Sequence, residues 1–203
     1  MASRAAPGQR SFIEQARRDQ IVGAAVEVLY ESGFAGASLG AIAERIGVSK
    51  GVISYHFTGK DEVLREVIAQ VLTEARAYML PRIEAARSYR EALQLYVTSN
   101  FEYIAANLRK IIAFMEILNG MPPAGGEPGP FDEGRQRAVD ELRDLLAAGQ
   151  AAGEFGAFSA PVAAVSLRAS IDALSFLLRA DPDMDLPAYG SELLRLYERA
   201  VAA

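Results

Sequence analysis

The chain has no cysteine, one histidine, His56, and only three lysines in 203 residues. Without thiols there are no disulfides and no thiolate metal sites, and a reducing cytoplasm suits the protein. One imidazole cannot build a multi-histidine centre, and the Glu-x-x-His pairing of a di-iron bundle is missing, so neither a metal nor another cofactor is expected. No uncharged apolar run approaches the roughly 18 residues of a membrane span. Met1 to Gln9 are small and polar around Pro7 and Gly8, with no signal-peptide core, and are expected to form an arm carrying Arg4.

Positive charge is scarce overall, and its placement matters more than the net of -5. Residues 1–65 hold eight Lys and Arg against seven Asp and Glu, whereas the remainder holds thirteen against nineteen. The N-terminal third is relatively cationic, and an acidic remainder would confine a polyanionic partner to one surface. Arg10, Arg17 and Arg18 lie there; the last two are expected to stand in the first helix away from its apolar stripe, where they meet backbone phosphates or water.

What is present is helical periodicity. Ile21, Ala25, Val28 and Leu29 repeat at i, i+4, i+7 and i+8 in a helix from about Ser11 to Ser32, stopped by Gly33, with Phe34 expected to plug the adjoining core. Leu39, Ile42, Ala43 and Ile46 mark a short second helix with Ser38 as N-cap, ending at Gly47. Ser49 can cap a third, whose Ile53 and Phe57 stand four apart on its inner side. Gly51, Val52 and Tyr55 then look outward, flanked by Ser54 and His56, with Lys50 in the free first turn. A short helix held by the one before it and exposing such groups suits a DNA major groove. Thr58-Gly59-Lys60-Asp61 opens a fourth helix, whose first amides and Lys60 can hold a phosphate. That helix carries Val63, Leu64, Val67, Ile68, Val71 and Leu72 towards Leu80, with Pro81 expected to end or kink it. A rigid link of this length is the natural place for a switch.

The remainder reads as helices without strands. Ser88-x-x-Glu91 is a capping-box signature opening a helix to about Asn107, and another runs from Arg109 to Leu118. Gly120 to Pro130 is a proline- and glycine-rich loop, followed by helices from Phe131 to about Ala152 and from Ala160 to about Ala180, then a last one after Pro187. In the helix from Ala160 apolar residues spread around much of the circumference, which marks burial on more than one side. The last two helices are therefore expected to pair with a second copy as a four-helix bundle about a two-fold axis, forming a homodimer. The fold class is all-α, with about nine helices, divided into residues 11–60 and 61–203.

Ser38-Leu39, Ile42-Ala43, Gly47-Val48-Ser49, Gly51, Ile53, Tyr55-His56-Phe57, Lys60 and Leu64 resemble the DNA-binding domain of the TetR family of transcriptional regulators. About ten identities at fixed spacing carry this resemblance. It implies an N-terminal three-helix helix-turn-helix domain and a C-terminal antiparallel helical domain for effector binding and dimerisation. It implies a double-stranded DNA operator as partner, read palindromically by two recognition helices roughly 34 to 36 Å apart. On that basis Ser38, Ser49, Tyr55, His56 and Lys60 grip phosphate, and Lys50, Gly51, Val52 and Ser54 approach base edges. Gly40 stands where some relatives carry a base-reading side chain, and Ser54 replaces an aromatic residue common before Tyr-His-Phe, which shifts readout onto Lys50 to Ser54.

The same resemblance implies a small-molecule effector, apolar or amphipathic, with Phe101, Tyr103, Phe114, Met115, Phe131, Arg168, Asp172 and Phe176 as candidate contacts. Arg168 and Asp172, four apart, equally fit a structural ion pair or a dimer contact. The expected mechanism is repression by operator occupancy, relieved when the effector favours a dimer with the wrong helix separation. Two other classes remain open: a dimeric all-α adaptor regulated by a protein partner, and an enzyme working through carboxylates alone.

Overall fold

The computed structural model describes residues 12–121, 130–181 and 183–202, with the side chains at 130, 175, 176 and 179 not among those described. Arg4, Arg10 and most of the proline-glycine loop lie outside the described residues. All regular structure among the described residues is helical: α1 (Phe12–Gly36), α2 (Leu39–Arg45), α3 (Lys50–His56), α4 (Lys60–Glu84), α5 (Tyr89–Ala106), α6 (Leu108–Gly120), α7 (Pro130–Ala151), α8 (Ala160–Asp172), α9 (Leu174–Ala180) and α10 (Leu186–Ala200). Only Ala173, itself in the right-handed helical region, separates α8 from α9, so the two count as one interrupted helix and the total among the described residues is nine.

The chain divides into two compact units, one of residues 1–70 with 112–123 and one of residues 71–111 with 124–203. In the first, Ile21, Ala25 and Leu29 from α1, Ile42 from α2, Ile53 and Phe57 around α3, and Val63, Leu64 and Val67 from α4 are all buried. The turns between these short helices depend on glycine. Gly33 and Gly47 both have φ of 66°, a conformation that costs a side-chain-bearing residue roughly 1–2 kcal/mol. Gly33 thereby breaks the helical path of α1, and Gly47 turns α2 into α3.

Phe34 is half-buried and does not plug the helix-turn-helix core, contrary to the expectation from sequence, whereas Ala37 is 1% exposed. The break at Gly33 turns Phe34 instead towards the C-terminal end of α6. Its N–H donates to Glu116 Oε2 at 3.1 Å, its carbonyl accepts from Lys60 Nζ at 2.8 Å, and that ammonium also lies 4.0 Å from the ring centroid. A Cβ on Gly120 would stand 2.1 Å from Phe34 Cγ, so only glycine admits this contact.

The second unit has one apolar core built from Leu93, Val97 and Phe101 of α5, Leu142 and Leu146 of α7, Leu167 and Ile171 of α8, and Leu193 of α10, among others. Its helix starts are chemically defined. Ser88 Oγ accepts from Glu91 N–H at 3.0 Å, and Asp185 Oδ1 caps α10 by accepting from Ala188 N–H at 2.9 Å. The reciprocal half of the capping box shifts by one residue, since Glu91 Oε2 accepts from Arg87 N–H at 2.7 Å. Pro81 does not end α4, which runs on to Glu84. Only three residues follow it, so the missing N–H costs one bond in the last turn, and the Arg82 guanidinium lies 3.7 Å over the Tyr78 ring across that turn.

Candidate nucleic-acid interface

The seven residues of α3 divide cleanly by exposure. Ile53 is fully buried and Phe57, its C-cap, nearly so, while Lys50, Gly51, Ser54 and Tyr55 are exposed and Val52 and His56 half-buried. Tyr55 is 77% exposed and meets His56 edge-on, with ring centroids 5.0 Å apart. Ser38 Oγ accepts from Ala41 N–H at 3.1 Å, which caps α2 and leaves the hydroxyl proton to donate elsewhere. Ser49 stands at the N-cap of α3 but its side chain makes no cap bond. A Cβ at Gly51 would meet only Ser49 Oγ at 3.6 Å, so no contact within the chain demands glycine there.

Other groups expected at the phosphate surface are engaged internally. Lys60 bonds Phe34 as described above. At the start of α4 a carboxylate already sits where an anion was expected, since Glu62 Oε2 accepts from Thr58 N–H at 2.7 Å and from Thr58 Oγ1 at 2.8 Å. Arg17 donates to Gln20 Oε1 at 2.6 Å, on the surface. Arg18 is 4% exposed, neither solvated nor available to phosphate. Its guanidinium reaches the His56 carbonyl, Glu66 Oε2 at 2.7 Å and Glu62 Oε1 at 3.4 Å, and lies 3.9 Å over the Phe57 ring. The cause is phase: Arg18 precedes Ile21, Val22 and Ala25 by three, four and seven residues, on the buried face.

The Thr58 amide and hydroxyl, with a smaller contribution from Arg18, hold the Glu62 carboxyl below the ordinary glutamate range. A carboxyl with a depressed folded-state pKa stabilises the fold above the unfolded pKa, and this contribution is lost as pH falls through the folded one. Stability is therefore expected to decline from about pH 4.3 downwards. In Glu62→Gln this part of the decline should vanish, as read by urea midpoints measured between pH 6 and pH 3.

In the second unit the polar candidates fall into two places. Arg168 donates through Nε to Asp172 Oδ1 at 2.9 Å and through Nη1 to Tyr96 Oη at 3.3 Å and Asn100 Oδ1 at 3.2 Å. Asp172 also accepts from Arg135 Nε at 3.0 Å. Tyr103 Oη stands 3.4 Å from both the Val71 carbonyl and Glu74 Oε2; burial, reinforced by that carboxylate, raises its phenol far above the usual value. Phe101 packs on α10, where a Cβ at Gly190 would come within 2.8 Å of its ring. Phe131 is half-buried near the start of α7. Phe114, buried, and Met115, half-buried, belong to the first unit, and the Phe176 side chain lies outside the described residues. Among the described residues no helix is long and apolar enough to cross a membrane, and no three His, Asp or Glu groups cluster to hold a metal.

Residues 21–67, the span from the core of α1 into α4, match the family model of bacterial regulatory proteins, tetR family. The chain is 33% identical over 110 residues to the HTH-type transcriptional regulator BetI 1 of Chromohalobacter salexigens, covering 52% of this chain and 54% of that one. It is 33% identical over 92 residues to BetI of Escherichia coli, covering 44% and 47%. The chain thus spans about half the length of the curated relatives it matches. Among solved structures, a regulator from Saccharomonospora viridis in complex with choline superposes with a TM-score of 0.81 at 19% identity, covering 93% of this chain and 99% of that one. The fatty acid degradation regulator FadR from Bacillus halodurans gives 0.73 at 23% identity, covering 88% and 96%. These two likenesses concern the fold. The family model rests on the helix-turn-helix itself, and over residues 21–67 the chain is similar to the tetR family of bacterial regulatory proteins.

Proposed function

We propose that the protein is a DNA-binding transcriptional regulator that occupies a two-fold operator as a homodimer and leaves it when a small molecule binds the second unit. The observation that carries this reading is α3, whose one buried side chain, Ile53, and buried cap, Phe57, leave Lys50, Gly51, Ser54 and Tyr55 turned outward. Such a helix presents base-reading and phosphate-binding groups together. Ser38, Ser49, Tyr55 and His56 hold phosphate, while Lys50, Gly51, Val52 and Ser54 face base edges. Lys60 adds a phosphate contact through an ammonium proton that the Phe34 carbonyl does not take.

The dimer is supported by α8, which has two apolar faces. Ala164, Leu167 and Ile171 are buried, whereas Val162 and Val165 are 66% and 49% exposed. Leu196 of α10, 64% exposed, adds to the apolar surface of this unit. For the effector, the Arg168–Asp172–Asn100 group and the Tyr103 phenol supply polar contacts inside an otherwise apolar helical unit. Solved structures of the same fold hold choline in one case and triclosan in another. Operator occupancy blocks transcription, and the effector relieves it only by its differential affinity for the two dimer forms.

A fluorescence-anisotropy titration with duplex from upstream of the gene that encodes the chain tests the reading. Saturable binding that weakens steeply with salt is expected. Absence of binding at low salt would favour the protein-regulated adaptor.

A further inference from the structure

Arg18 is the buried charge that the proposed recognition chemistry does not use. Its Nε has no hydrogen-bond partner, and desolvating a guanidinium with an idle donor is costly. The remaining contacts all converge on one junction. The carbonyl of His56, the last residue of α3, accepts from Nη1, and the Phe57 ring, at the cap, lies under the guanidinium plane. Glu66 and Glu62 hold the other edge from α4, and Glu62 in turn bonds Thr58 in the turn between α3 and α4. One planar group thus ties α1 to the end of α3 and to the start of α4.

We infer that Arg18 is a positioning residue that sets the angle at which α3 stands on its domain. A seven-residue helix with a single buried side chain has too few core contacts to fix its own tilt. Ile53 locates its middle, and Arg18 locates its C-terminal end. The role requires a planar fork: a lysine keeps the charge opposite Glu62 and Glu66 but cannot stack on Phe57 while reaching the His56 carbonyl. The proposal deepens the DNA-binding reading and rests on it for consequence, since a recognition surface must be held to within about 0.5 Å to act.

The test compares Arg18→Lys and Arg18→Ala with the unaltered full chain, with Lys carrying it where Ala does not fold. In the free protein, amide hydrogen exchange over residues 50–57 is expected to quicken on the order of tenfold in Arg18→Lys, while α5 and α8 keep their rates. Affinity for the upstream duplex, relative to random-sequence duplex, should fall about tenfold or more at a temperature where circular dichroism shows both chains folded. Unchanged exchange at 50–57, or a uniform rise across both units, would overturn the proposal as mere stability. So would an unchanged affinity ratio in a protein whose unaltered form binds. Local loosening in a protein that binds no DNA at low salt would uphold the positioning role and sink the DNA-binding reading instead.

Discussion

A Val165→Glu chain is expected to run as a monomer and to lose on the order of 10²–10⁴ in affinity for a two-fold operator. Val165 is about half exposed in the single chain and lies on the face of α8 opposite Leu167 and Ile171. The substitution therefore leaves the monomer core untouched. At a two-fold interface the same face meets its own copy, so each dimer would bury two carboxylates without partners, at several kcal/mol per ion. The effect on DNA follows from geometry: two tethered α3 helices make the second half-site an intramolecular event, and a monomer has no such gain. Light scattering behind a sizing column reads the mass, and anisotropy at fixed salt reads the affinity. The salt slope should drop towards half as the phosphate contacts halve. Leu196→Asp, on α10, should behave alike; a dimer that survives both changes removes the proposed interface.

Much of this architecture was legible in the residues because local chemistry dictated it. Ser38 reads as an N-cap and is one, and Ser88 opens its helix as its spacing to Glu91 requires. The Ile53/Phe57 pair gives the buried side of α3 directly from a four-residue spacing. Failures came where tertiary contacts outvoted local pattern. Arg18 looked like a surface cation because arginine usually is one, although its register with Ile21 and Ala25 already placed it inward. Phe34 was drawn to the nearest apolar core in sequence, whereas the break at Gly33 sends it to Glu116 and Gly120, residues more than eighty positions away. The bond from Lys60 to the Phe34 carbonyl was not legible either, because no periodicity reveals that a backbone carbonyl lies within its reach. The effector itself was implied by the resemblance, and among its candidate contacts aromatic character does not distinguish Phe101, packed against Gly190, from a pocket wall.

Lys50 and Tyr55 should separate base reading from phosphate binding. Lys50 is exposed in the first turn of α3 and bonds to nothing among the described residues. If its ammonium donates to guanine O6 and N7, Lys50→Ala should lose about 1 to 3 kcal/mol at one base pair of each half-site, and substituting that base pair should then cost the variant almost nothing. If it only neutralises a phosphate, all sequences should weaken together and the salt slope should fall by roughly one per half-site. Tyr55→Phe removes a neutral hydroxyl. A phosphate contact through that hydroxyl should cost about 1.5 to 3 kcal/mol, as for a hydrogen bond to a charged group. Because no counterion is displaced by a phenol, the salt slope should stay where it was. The ring edge against His56 is kept in phenylalanine, so folding is not at issue. An anisotropy series over single-base operator variants at three salt concentrations reads all of these quantities. Unchanged affinity in both variants would mean that the outward face of α3 does not meet DNA.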